Sequence, residues 1–244
     1  MNKLPVNYPR NICAYCGSRG KLSDDHIPPK NLFSKPRPSN LITVSACTKC
    51  HSTTSKDDEY FWINLCLRDD AGDHLSARAN WNSVLRSLNR KEATGMRRSF
   101  LSDLWNIQLR TPAGLYTGNR LGYDVDLARI RKVVERIVRG FYFAEFCEPL
   151  GLNNVVKVIL NEDLQNAPKD FLEELNQTIL LPLASMDTKV IGDNIFIYRY
   201  HRFVKENPIF SVWGLSFYGH VPFLCFTGTD SVCVENMQKS DEID

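Results

Sequence analysis

Two matched pairs of cysteines bracket a short polar segment near the start of this 244-residue sequence. Cys13-Ala-Tyr-Cys16 and Cys47-Thr-Lys-Cys50 are both C-x-x-C knuckles. A two-residue gap lets both thiolates of a tight turn face one ion, and two such turns complete a tetrahedron, the geometry of a structural zinc site. A redox dithiol is the other chemistry open to such pairs. Between the knuckles lie Asp24-Asp25-His26 and then Asn40, and His51 follows the second knuckle directly. Asp25 and His51 can ligate a divalent cation while leaving several positions to water, as an open catalytic site requires. Asp24 could replace Asp25. A neutral His26 can take a proton from water once its tautomer is fixed. Asn40, uncharged and both donor and acceptor, can brace the loop that bears His26.

This combination over roughly residues 13–60 resembles the HNH, or ββα-metal, endonuclease family. The resemblance implies Zn2+ held by Cys13, Cys16, Cys47 and Cys50, and a catalytic Mg2+ or Mn2+ held by Asp25 and His51. His26 would be the general base and Asn40 the positioning residue. It further implies hydrolysis of DNA phosphodiester bonds, leaving a 5′-phosphate and a 3′-hydroxyl. Two departures stand out. Lys35-Pro36-Arg37-Pro38 occupies the place where members often carry a Gly pair, and Ser55 stands where some members add a second His. Lys30, Lys35, Arg37 and Lys49 surround the proposed site and can hold phosphates, which position a duplex without reading its sequence. The alternative use of the same residues is a non-catalytic zinc-ribbon module that binds nucleic acid or protein.

The elements that must position these residues follow from periodicity. Proline between Ile27 and Pro38 excludes a long helix there, and with few core-forming residues the module is expected to depend on zinc. Helices are expected at about 57–69, 76–91, 95–108, 125–147 and 168–180, with a break at Thr111-Pro112-Ala113-Gly114. Segment 153–160 is a short apolar strand or helix. Residues 195–200, 210–218 and 222–226 read as three antiparallel strands. The fold class is α+β: a zinc-stapled module at 1–69, for which the resemblance implies the ββα-metal fold, then an α+β region at 70–244 of unknown role, which could dock a partner protein or a second copy of the chain. Arg129, Lys132, Arg136 and Arg139 fall on the polar side of the 125–147 helix and read as a solvated face.

Residues 1–139 hold 23 Lys and Arg against 13 Asp and Glu, whereas residues 140–244 hold 7 against 15. Such asymmetry suits a first part that faces a polyanion. Cys66, Cys147, Cys225 and Cys233 sit singly among apolar residues and read as buried thiols, and His74, His201 and His220 have no partner in a recognisable spacing. No stretch has the length and apolarity of a membrane span, and the first ten residues hold no apolar leader, so a cytoplasmic protein is expected.

Overall fold

The computed structural model describes residues 9–52, 54–102, 104–165, 167–203 and 210–229. Cys233 and the polar end from Met237 lie outside the described residues. Strands β1 (Leu22–Ile27) and β2 (Ile42–Cys47) pair antiparallel, with His26 opposite Thr43 and Asp25 opposite Val44. β2 runs directly into the short helix α1 (Thr48–Ser52), and α2 (Ser55–Leu67) follows. This is the β-β-α order expected of the module. In α2, Asp57 and Asp58 occupy the first turn, where acidic groups complement the helix dipole. Seven consecutive residues from Tyr60 to Cys66 are buried, so α2 is enclosed on all sides rather than lying on the surface.

Helices α3 (Leu75–Leu88) and α4 (Thr94–Ser102) come next. The helix expected to reach residue 108 stops at Ser102. Trp105–Arg110 instead forms β3, which pairs antiparallel with β4 (Tyr116–Gly122) across the expected break. Leu101, Trp105 and Gln108 mimic helical spacing, but Trp105, Ile107 and Leu109 also alternate with period two, and the pairing with β4 just beyond the turn decides between the two readings.

α5 (Leu127–Phe146) begins at Asp126, whose Oδ1 accepts a hydrogen bond from the Arg129 amide at 3.2 Å. On one side of α5, Phe141 packs on Phe196 and Tyr198 with ring centroids 5.3 and 4.3 Å apart. On another, Gly140 lies so close to β1 that a Cβ there would come within 2.7 Å of Ile27 Cγ2. The helix is thus wedged between the N-terminal module and the sheet that follows.

That sheet has five antiparallel strands. β5 (Val155–Ile159) precedes helices α6 (Asn161–Leu164), α7 (Lys169–Leu175) and α8 (Leu181–Ala184), then come β6 (Lys189–Ile191), β7 (Phe196–Phe203), β8 (Phe210–Phe217) and β9 (Val221–Gly228). The spatial order is β5-β9-β8-β7-β6. The three expected strands form its centre, and the single helix expected at 168–180 is α7 continued through a π turn into α8. Along β8, Trp213, Leu215 and Phe217 enter the main core, while Phe210 and Val212 join Ile159, Leu183, Leu224 and Phe226 in a second cluster beneath α8. The central strands are apolar on both faces because both are covered.

The main core runs continuously from Cys13, Ile27, Leu32 and Val44 through Ile63 and Val134 to Phe196 and Trp213. Besides the thiolate cluster, the module's few apolar side chains gain a full set of neighbours by packing on α5, α2 and the sheet. No described helix is long and apolar enough to cross a membrane.

Candidate functional site

The two knuckles meet. Cys13–Cys16 is a turn closed by the Gly17 amide donating to the Cys13 carbonyl at 2.8 Å, with Gly17 at φ 71. The second knuckle spans the end of β2 and α1, and its Cys47 amide donates to Cys13 Sγ at 3.3 Å. All four sulfurs lie within 4.8 Å of one another, and Cys16 and Cys47 Sγ are 3.8 Å apart. A tetrahedron with Zn–S bonds of ~2.3 Å has edges of about 3.8 Å, so the cluster fits a zinc ion. The Cys50 amide pulls the Cys47 thiol down to about 6, whereas burial pushes the Cys50 thiol up. A bound cation would favour the thiolate at every position.

Beside the knuckles opens a cleft of about 540 Å³ lined by Asp25, His26, Lys30, His51 and Asp58 among others. α1 follows β2 without a break, so His51 folds back toward β1. Its Nδ1 is 2.8 Å from Ser23 Oγ, and its Nε2 is 3.8 Å from Asp25 Oδ1. With Nδ1 protonated toward Ser23, the Nε2 lone pair points at the carboxylate oxygen, and the two can share a cation. The other oxygen of Asp25, Oδ2, accepts from Tyr15 Oη–H at 2.7 Å and from Arg136 Nη1 at 2.6 Å. This division of labour leaves Oδ1 facing the cleft. It also favours Asp25 over exposed Asp24 as the carboxylate that meets His51.

His26 is half-buried on the same cleft. Burial, with help from the positive charge of Lys30, lowers its pKa below the ordinary value of 6.5, which favours the neutral imidazole. Lys35, Arg37 and Lys49 are exposed, as is Lys30, and Arg37 Nε donates to the Lys30 carbonyl at 3.4 Å.

Asn40 sits apart from these groups. Its Nδ2 donates to the Val190 carbonyl at 2.9 Å, and its Oδ1 accepts from the Gly192 amide at 3.3 Å. The amide therefore fastens the loop before β2 to the turn that follows β6. Gly192, at φ 60, allows the contact, because a Cβ there would meet Pro38 Cγ at 2.5 Å.

Sequence reasoning passed over Arg136. Its guanidinium is buried and reaches from α5 to both Asp25 and Asp58. Burial nevertheless pushes the Asp58 carboxyl up to about 6, with Arg136 acting in the opposite direction. The solvated face expected for this helix is in fact largely a seam: Arg129 and Lys132 both hold Asp57, at 2.8 and 2.9 Å, and Arg139 Nη2 donates to the Asn154 carbonyl at 2.7 Å. Spacing alone cannot separate a charged face that meets water from one that meets carboxylates. Tyr15 and Ser23 carried no signal beyond their nearness to the knuckles.

The geometry can hold one structural ion on four thiolates and a second, more open cation between a carboxylate and an imidazole. No curated protein and no solved structure matches the chain. The segment spanning residues 13–57, which contains both knuckles and the cleft residues Asp25, His26 and His51, matches the HNH endonuclease family.

Proposed function

We propose that the protein is a divalent-metal-dependent endonuclease that hydrolyses DNA phosphodiester bonds. The HNH match supports a nuclease-type function with metal binding. The observation that carries the finer reading is the pairing of Asp25 Oδ1 with His51 Nε2, each held by a partner on its other atom. Asp25 and His51 would hold Mg2+ or Mn2+. Such a cation, when bound, supplies Lewis-acid stabilisation to the phosphate and the leaving oxygen.

The chain's own groups do the rest. His26, kept neutral by burial and nearby cations, accepts the proton of the attacking water at an imidazole nitrogen. Lys30 and Arg37 offset the charge of a phosphodiester entering the cleft. Arg136 and Tyr15 hold the Asp25 carboxylate in one orientation, so that a single oxygen faces the substrate side. Asn40 supports the basic loop rather than the reacting atoms. The knuckles, with zinc, fix the start of α1 and hence the position of His51.

Plasmid nicking by the full chain with Mg2+ or Mn2+, against an EDTA control, tests this reading. His26→Ala should lower the rate by about 10²–10⁴-fold while zinc content stays unchanged. Undiminished nicking by the purified variant would remove His26 as the base. Tight duplex binding with no metal-dependent nicking by the wild-type chain would mark a binding module instead.

A further inference from the structure

The β3–β4 hairpin is exposed along almost its whole length: from Leu104 to Leu121 only Leu109, Thr111 and Gly118 are half-buried. Its two faces differ. The register pairs Trp105 with Gly122, Ile107 with Arg120 and Leu109 with Gly118 on one face. There the side chains of Trp105 and Ile107 close over Gly122, where a Cβ would meet them at 2.6 and 2.7 Å. The other face carries Asn106 opposite Leu121, Gln108 opposite Asn119 and Arg110 opposite Tyr116. It therefore presents three carboxamides and a guanidinium in a row, with Arg110 Nη2 donating to Gln108 Oε1 at 3.2 Å. Between Leu104 and Tyr123 the sequence has two arginines and no acidic residue.

We infer that this ribbon enters the major groove of duplex DNA and reads bases beside the cleavage site. A two-stranded ribbon fits that groove, and the side chains displayed are those that pair bidentately with purines there, Asn and Gln with adenine and Arg with guanine. An exposed amide row free of carboxylates complements base edges next to a polyanion. The ribbon is also fixed at its base. Tyr123 Oη–H donates to Asn64 Oδ1 at 3.2 Å, Tyr123 packs edge-on against Phe100 at 5.1 Å, and Arg120 Nε lies 3.3 Å from Asp69 Oδ1. Asn64 is six residues along α2 from Asp58 in the cleft, about 9 Å at 1.5 Å per residue. The base of the ribbon therefore lies well within one helical turn of duplex, ~34 Å, of the cleft. Arg98, exposed on α4 just before the ribbon, can meet the flanking phosphates.

The inference rests on DNA as the substrate, and its test reads binding rather than cleavage. The full-length His26→Ala chain is used to select from duplexes with a randomised central segment, and the bound pool is sequenced. An enriched motif of a few base pairs is expected. Asn106→Ala/Gln108→Ala/Asn119→Ala in the same background should lose enrichment by about tenfold for each base contact removed. Zinc content and melting temperature at the parent's values show that the variant is folded. As a second measurement on the unsubstituted ribbon, 7-deazapurines placed in the selected duplex should weaken binding, because they lack the groove-facing N7 acceptor. A bound pool without a motif, a motif that survives the triple substitution, or a dimer of the chain that those substitutions dissociate would overturn the inference. Failure of plasmid nicking beside a motif that depends on the ribbon would sink the nuclease reading and leave the ribbon's role standing.

Discussion

Residues 13–52 place their reactive groups on turns and strand ends around four thiolates, whereas residues 155–228 bury aromatic rings in a sheet covered on both faces. The first region gains order from a metal-sized cluster and a thin core; the second gains it from area removed from water. The difference has a consequence for the site. Within the module Tyr15 gives the Asp25 carboxylate one hydrogen bond, and Arg136, from a helix that packs on the sheet, adds a second together with the counter-charge. The cleft is lined by residues between Ser23 and Asp58, yet the Asp25 carboxylate in it is held from α5, outside the 13–57 segment that matches the family.

Removing zinc should separate the two regions most sharply. Cys47→Ser should lose one zinc per chain, and since zinc contributes about 10–16 kcal/mol in small finger peptides, amide exchange protection over residues 13–52 should collapse. Protection in β7, β8 and β9 should persist. If the sheet loses protection together with the knuckles, the regions form one cooperative unit and the contrast between them disappears.

Next in size is the seam. Arg136→Met leaves the buried Asp25 and half-buried Asp58 carboxylates without their shared counter-charge, and denaturant unfolding should show a loss of about 3–5 kcal/mol. Asp58→Asn in the Arg136→Met background should recover part of it by removing one charge. Arg136→Lys should recover less than wild type, because one ammonium cannot bridge two carboxylates as a planar fork does. A loss below about 1 kcal/mol, the range of exposed pairs, would mean that the two regions are joined by apolar packing alone.

A smaller effect tests that apolar packing directly. Gly140→Ala would normally strengthen a helix by about 1 kcal/mol. Here the added methyl meets Ile27 Cγ2 at 2.7 Å, so calorimetry should report destabilisation of about 1–3 kcal/mol. A higher melting temperature would show that β1 can move away from α5 without cost. The smallest change is expected from Asn40→Ala, which removes the bonds to Val190 and Gly192 and should lower stability by about 1–2 kcal/mol. Exchange should rise in the 33–41 loop; an unaltered loop would mean that Pro38 and Phe33 against Gly192 suffice to hold it.

Much of the site was legible because its chemistry depends on short-range spacing. The two-residue gaps of Cys13/Cys16 and Cys47/Cys50 dictate turns, and the step from Cys50 to His51 ties the imidazole at the cleft to the thiolate cluster whatever surrounds them. The helices around 57–69 and 125–147 and the strands near 196, 210 and 222 announced themselves through apolar periodicity, which is also a local property. What the sequence by itself determined, then, was the kind of chemistry and the elements that carry it. Tertiary structure alone decided which charges are partners. Arg129, Lys132 and Arg136 look the same in sequence as a solvated stripe, and only the approach of α2 and β1 turns them into counter-charges for Asp57, Asp58 and Asp25. It also decided that Trp105–Arg110 is a strand, because its ladder partner begins beyond a turn, and that Asn40 reaches a turn some 150 residues away. Spacing records what neighbours in the chain can do together. Burial, ion pairing and strand pairing depend on which distant segments meet, and that is settled by the packing of the whole molecule.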